Sequence, residues 1–172
     1  SQLRAALDAR RITYEQLVSY YLQRIARFDQ TGPAIHALIS LNAEALLQAR
    51  QLDRDNAIGV HGPLFGIPFI VKDNFNSADL PTTAGSAALK QNRPMSNAFV
   101  VQRLLDQGAL LIAKANMSEL ASSYGRLGYS AMGGLTRNPY NLSRNASGSS
   151  SGSAAAIAAD FAAFALGTDT SG

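Results

Sequence analysis

Five consecutive apolar residues, Ile67-Pro68-Phe69-Ile70-Val71, run straight into Lys72-Asp73-Asn74. A surface strand would alternate apolar and polar side chains; an unbroken run of this length reads as a strand buried on both faces. Such a strand needs helices packed against it, and the sequence around it supplies them. Thr13 and Gln16 have capping-box spacing, and Leu17, Tyr21, Ile25 and Phe28 recur at helical period. Gly32-Pro33 ends that helix, Ile35 to Leu41 is apolar enough for another buried strand, and Asn42 is placed to cap a helix running to about Leu52.

Past the central strand the pattern repeats. Ser96 is positioned to cap a helix that ends at Gly108, followed by a strand from Ala109 to Ala113, and Ser118-Glu119-Leu120 opens a short helix. Gly133 to Gly152 reads as loop, rich in Gly, Ser and Asn; Ser153 to Ala159 is almost pure helix former, and Phe161 to Leu166 reads as a strand. Strands alternating with helices predict an α/β architecture with a largely buried sheet. Only 16% of the 172 residues are charged, which fits a chain that packs against more polypeptide. The net charge of +3 is scattered, without the basic stripe that a nucleic-acid partner leaves. No apolar stretch is long enough to span a bilayer, and the absence of cysteine leaves the compartment undecided.

Three segments carry candidate chemistry. Lys72 closes the apolar run, and two readings stand: a lysine marking where the strand meets solvent, paired with Asp73, or one whose burial lowers its pKa so that a neutral amine acts as a base. Ser147-Gly148-Ser149-Ser150-Ser151-Gly152-Ser153 opens directly into Ala154-Ala155-Ala156-Ile157-Ala158-Ala159. Such a string suits a flexible linker, an anion cradle at a helix N-terminus, or a catalytic loop. A P-loop would end in Lys-Ser/Thr, and this one does not. Gly167-Thr168-Asp169-Thr170-Ser171-Gly172 follows a strand; it is either a plain β-turn or a turn that aims backbone N–H groups at one point, as an oxyanion hole requires.

The two histidines offer little. His36 lies in the apolar strand run and reads as a packed core residue; His61 sits in a loop beside Gly62-Pro63, where a solvated side chain is the default. No His-x-x-x-His or similar spacing supports a zinc site.

Taken in order, Gly62-Pro63-Leu64-Phe65-Gly66-Ile67-Pro68 with Lys72-Asp73-Asn74, then the Ser/Gly loop with its Ala-rich helix, then Gly167 to Gly172, resemble the amidase signature family. Ala84-Gly85-Ser86, Lys114-Ala115-Asn116-Met117-Ser118-Glu119 and Thr136-Arg137-Asn138-Pro139 fall where that family has similar strings, so the likeness runs from about Gly62 onward. It implies a central mixed β-sheet covered by helices on both faces, of which this chain is the N-terminal part. Residues 1–57 would form a helical segment and 58–172 part of the catalytic core, continuing beyond Gly172.

The resemblance also implies a triad of Lys, a serine held in a cis peptide, and a nucleophilic serine, with no cofactor and no metal. Lys72 matches the base and Ser149 the cis serine that relays the proton, while the nucleophile would be the residue immediately after Gly172. Backbone N–H groups of Thr170, Ser171 and Gly172 would hold the oxyanion. Ser150, bonded to the lysine or to the loop backbone, and Asp169 would support the site, and Ala121, Ser122 and Ser123 match a substrate-side segment. Its partners would be a small-molecule or peptide amide and the rest of the same polypeptide. Ser147, Ser151 and Ser171 replace glycines of the family pattern, small for small, and the Ser-rich loop is similar to that of peptide amidases. A glutamine-hydrolysing amidotransferase subunit is the alternative within the family; a phosphate- or nucleotide-binding module using the Ser/Gly loop is the alternative outside it.

Overall fold

The computed structural model describes residues 2–56, 61–122 and 126–170. Helix α1 (Gln2–Asp8) leads to α2 (Tyr14–Phe28), whose capping box is complete: Thr13 and Gln16 each bond the other's backbone N–H at 3.0 Å. A box of this kind stabilises a helix start by about 1 kcal/mol. Strand β1 (Leu38–Leu41) and helix α3 (Ala45–Asp55) follow, then β2 (Pro68–Lys72), α4 (Phe99–Asp106) and β3 (Leu110–Ala115). Two small antiparallel pairs come next, β4 (Tyr129–Ser130) with β5 (Gly134–Leu135) and β6 (Arg137–Asn138) with β7 (Asn141–Asn145). Helix α5 (Ser151–Ala158) and strand β8 (Phe164–Leu166) complete the described chain.

The main sheet is mixed, in the order β1-β3-β2-β8, with β2 parallel to both of its neighbours and β1 antiparallel to β3. Both faces are covered. Ile70 and Ala113 belong to a core built with α2, α3 and α5, whereas Phe69, Val71 and Leu111 join Val101 of α4 in a second core. This explains why the β2 run is apolar throughout: alternate side chains enter different cores, and every residue of β2 is buried. The pairing of β2 with β3 skips Ile112, so that Val71 lies opposite Lys114 and Lys72 opposite Ala115. The two buried lysines therefore point to opposite faces of the sheet.

Several elements differ from the sequence reading, each for a local reason. The strand expected from Ile35 starts at Leu38, because His36 adopts φ 56° and its carbonyl turns to Asn116 and Thr136. His36 is accordingly half-buried rather than a packed core residue. His61 is not simply solvated; its ring stacks on Phe65 with centroids 3.7 Å apart. Asn42 does not cap α3 directly: its Oδ1 accepts from the N–H of Glu44, which occupies the N-cap position before Ala45. Ser96 likewise precedes the true start of α4: the N-cap position is Ala98, and the helix begins at Phe99. The short helix after Ser118 is a single 3₁₀ turn, Glu119–Ala121, broken by positive φ at Leu120 and Ala121. Helix α5 begins two residues earlier than its alanine run suggests, at Ser151, and β8 is shortened because Asp160, with φ 58°, turns the chain first. The stretch read as loop from Gly133 holds β5, β6 and β7.

Among the described residues no helix is long and apolar enough to cross a membrane.

Candidate active site

The site forms where the C-terminal end of β2 meets the N-terminal end of α5 and the turn after β8. Lys72 is fully buried, and its Nζ lies 2.7 Å from Ser149 Oγ, 2.7 Å from Thr168 Oγ1 and 3.3 Å from the Thr168 carbonyl. Burial lowers the Lys72 pKa below its ordinary value, and the nearby Asp169 carboxylate opposes that shift. Of the two sequence readings of Lys72, the solvent-marking one is overturned: the side chain is enclosed, and Asp73 pairs elsewhere.

Ser149 follows a cis peptide bond from Gly148. Its carbonyl accepts from the N–H of Ser118 at 3.0 Å, while Ser118 Oγ takes the N–H of Gly128 at 2.9 Å. Position 148 must be glycine, since a Cβ there would collide with Ser118 Oγ. Gly152 is as closely enclosed: its N–H donates to the Asn116 carbonyl, and a Cβ would collide with the Ala37 carbonyl oxygen. Asn116 is itself buried and saturated, donating to His36 O, Gly134 O and Thr136 Oγ1 and accepting from Met117 N and Ser130 Oγ. Loop 147–153 is thus a packed element, and the flexible-linker reading falls.

Two serines tie this loop to the turn after β8. Ser150 Oγ donates to Thr168 O at 2.9 Å and accepts from Thr168 N at 3.1 Å, so it bonds the loop backbone and not the lysine. Ser153 Oγ donates to Leu166 O at 2.9 Å. The result is a cleft of about 270 Å³ lined by Gly148, Ser149, Ser150, Gly167, Thr168, Asp169 and Thr170, with Asp169 and Thr170 exposed. Ala121 and Ser122 are half-buried and do not line this cleft. Ser123, Ser171 and Gly172 lie outside the described residues.

Sequence reasoning missed four side chains here. Thr168 was legible only as part of a turn of small residues, and its hydroxyl proves to be a direct partner of Lys72. Asn74 Nδ2 reaches the same hydroxyl at 3.1 Å. On the other face of the sheet, Asp73 and Lys114 form a fully buried ion pair with Nζ 3.3 Å from Oδ1. Lys114 also donates to Phe75 O, Pro81 O and Thr82 Oγ1, and Asp73 Oδ2 accepts from Thr83 N, Thr83 Oγ1 and Gly85 N. This pair pins the chain that leaves β2 and so fixes the strand end that carries Lys72. Burial lowers the Lys114 pKa and Asp73 opposes the shift. Among the described residues no group of three or more His, Asp or Glu side chains is placed to hold a metal ion.

The family model for Amidase matches residues 16–172. A peptide amidase from Stenotrophomonas maltophilia superposes with a TM-score of 0.91 at 47% identity, over 95% of this chain and 34% of that one. An amidase family protein from Bacillus anthracis gives a TM-score of 0.93 at 41% identity, over 98% of this chain and 34% of its own. A glutamyl-tRNA(Gln) amidotransferase subunit from Acidothermus cellulolyticus is 43% identical over 99% of this chain and 33% of its length. The chain belongs to the amidase family. It spans about a third of the length of the relatives it matches.

Proposed function

We propose that the complete protein hydrolyses a carboxylic amide to an acid and ammonia or an amine through an acyl-enzyme. Lys72 is the base and Ser149 the proton relay, and the nucleophile is a serine immediately after Gly172. In acylation the nucleophile's proton passes to Ser149 Oγ as the Ser149 proton passes to Lys72 Nζ, and the freed oxygen attacks the amide carbon. The tetrahedral oxyanion is held by backbone N–H groups of Thr170, Ser171, Gly172 and the nucleophile; one such donor contributes about 10²–10³ in rate. Collapse breaks the C–N bond, and the leaving nitrogen takes the proton back along the same path. Water then cleaves the ester by the same relay, releasing the acid. Ser150 and Asp169 hold the turn and tune the lysine; Ala121, Ser122 and Ser123 are assigned to the substrate side by their match to the family's segment alone. No cofactor is required.

The observation that carries this reading is the 2.7 Å contact between a buried Lys72 Nζ and the Oγ of Ser149, a residue that lines a cleft whose other wall is the Gly167–Thr170 turn. Family membership supports the chemistry, and the likeness to a peptide amidase supports a peptide or peptide-like amide as substrate.

The pH profile tests it. Because the base must be neutral, kcat/KM of the complete enzyme should rise with pH through an apparent pKa below the ordinary lysine value of 10.5 and then level off. A profile that falls across the alkaline range would mean that the protonated lysine is the active form and would end this reading.

The identity to a glutamyl-tRNA(Gln) amidotransferase component favours a second reading, in which the ammonia comes from glutamine and is used by a partner protein. Glutaminase assays with and without added amidotransferase components separate the two.

A further inference from the structure

Among the described residues Lys72 makes three contacts, and they raise a question of direction. A charged ammonium donates to all three oxygens. A neutral amine has two N–H bonds and one lone pair, and the Thr168 carbonyl can only accept. One N–H is therefore committed to that carbonyl, and one of the two hydroxyls, Ser149 or Thr168, must give its proton to the lone pair. Both lie at 2.7 Å. If Ser149 gives its proton, the relay runs; if Thr168 does, Lys72 donates to Ser149 and cannot take its proton.

Asn74 stands beside the competing hydroxyl. Its Nδ2 reaches Thr168 Oγ1 at 3.1 Å, while Oδ1 of the same amide is buried and has no hydrogen-bond partner among the described residues. A half-turn of the amide exchanges these atoms and presents the carbonyl to Thr168. There it accepts the Thr168 proton and leaves that oxygen only lone pairs to offer the lysine.

We propose that Asn74 is a positioning residue which, through the Thr168 hydroxyl, directs the Lys72 lone pair onto Ser149. The proposal rests on the reading of Lys72 as the base. Of the charged groups near Lys72, Asp169 acts on it directly, and the neighbouring Asp73 carboxylate is held by Lys114, Thr83 and Gly85.

The experiment compares pH profiles of kcat/KM for the complete enzyme with a simple peptide amide, alongside thermal melts. Asn74→Leu removes the acceptor and should lower the plateau about five- to tenfold, with KM and melting temperature little changed. Asn74→Asp keeps an acceptor that cannot donate; its plateau should survive, while its negative charge moves the rise to higher pH. Should Asn74→Leu fail to fold, Asn74→Ala takes its place, and in a Thr168→Val background, where the hydroxyl through which Asn74 acts is gone, the same replacement should cause no further loss; a loss as large as in the parent would overturn the role of Asn74. Lys72→Met separates the two levels of the argument. If it remains active, the base reading fails and this proposal with it. If it is inactive while Asn74→Leu keeps the parent plateau and profile, only the role of Asn74 is overturned.

Discussion

Lys72→Met in the complete polypeptide is expected to reduce kcat/KM for amide hydrolysis by at least the factor of about 10²–10⁴ that general-base removal costs, with a melting temperature equal to or above that of the parent. The two halves of this result have one cause. The aliphatic stem of Lys72 fills the space at the end of β2, and methionine fills it too. The ammonium, however, is held in a fully buried position where desolvation disfavours its charge. Its removal relieves that cost. The sign follows from linkage. The folded-state pKa is depressed below 10.5, so between the two values the unfolded chain binds more protons. The lysine's penalty to stability is therefore complete below the folded pKa and vanishes as pH rises through 10.5. At neutral pH the variant should gain, not lose, stability. Activity assays beside thermal melts measure both; a stable variant with near-parental turnover would remove Lys72 from the chemistry.

Lys114→Met should give the opposite pattern. Lys114 is as buried as Lys72, but its partner is a carboxylate, and removing it leaves Asp73 charged with only Thr83 and Gly85 as donors among the described residues. Breaking one side of a buried ion pair typically costs 3–5 kcal/mol, so a loss of about 4 kcal/mol is expected. The carbonyls of Phe75 and Pro81 lose a donor as well. The double variant Lys114→Met with Asp73→Asn should recover a large part of the loss, because no uncompensated charge then remains. Denaturant titrations of the single and double variants give the comparison. A single variant within about 1 kcal/mol of the parent, an effect no larger than one typical neutral hydrogen bond, would show that the pair does not anchor the strand end.

These two lysines show how far the sequence could be read. The apolar run that delivers Lys72 announces a strand buried on both sides, and the mixed sheet with helices on each face follows that expectation. Lys72 could be picked out because it breaks an apolar run, and the Ser/Gly string marked its loop, but only the family resemblance singled out Ser149 within that loop, 77 positions away. Lys114 carried no such mark. It sits in a strand whose register skips Ile112, and that skip alone decides that Lys114 faces Val71 and the α4 side, away from the cleft. A bulge is a property of the paired strands and has no local spelling. The same holds for Asn74 and Thr168, whose contact spans 94 positions. The strand expected from Phe161 starts only at Phe164, after positive φ at Asp160 turns the chain where no glycine signals a turn.

In the proposed relay Ser149 passes a proton between Lys72 and the nucleophile, rather than merely packing beside a Ser/Lys dyad. The measurement that reaches it most directly is kcat/KM of Ser149→Ala for an amide substrate, with circular dichroism to confirm the fold. If the hydroxyl is the proton path, its removal should cost at least the range of about 10²–10⁴ set by loss of a general base. Loss of one neutral hydrogen bond would cost only about fivefold. A folded variant within about tenfold of the parent, well short of the general-base range, would contradict the relay and leave Lys72 to act on the nucleophile without Ser149.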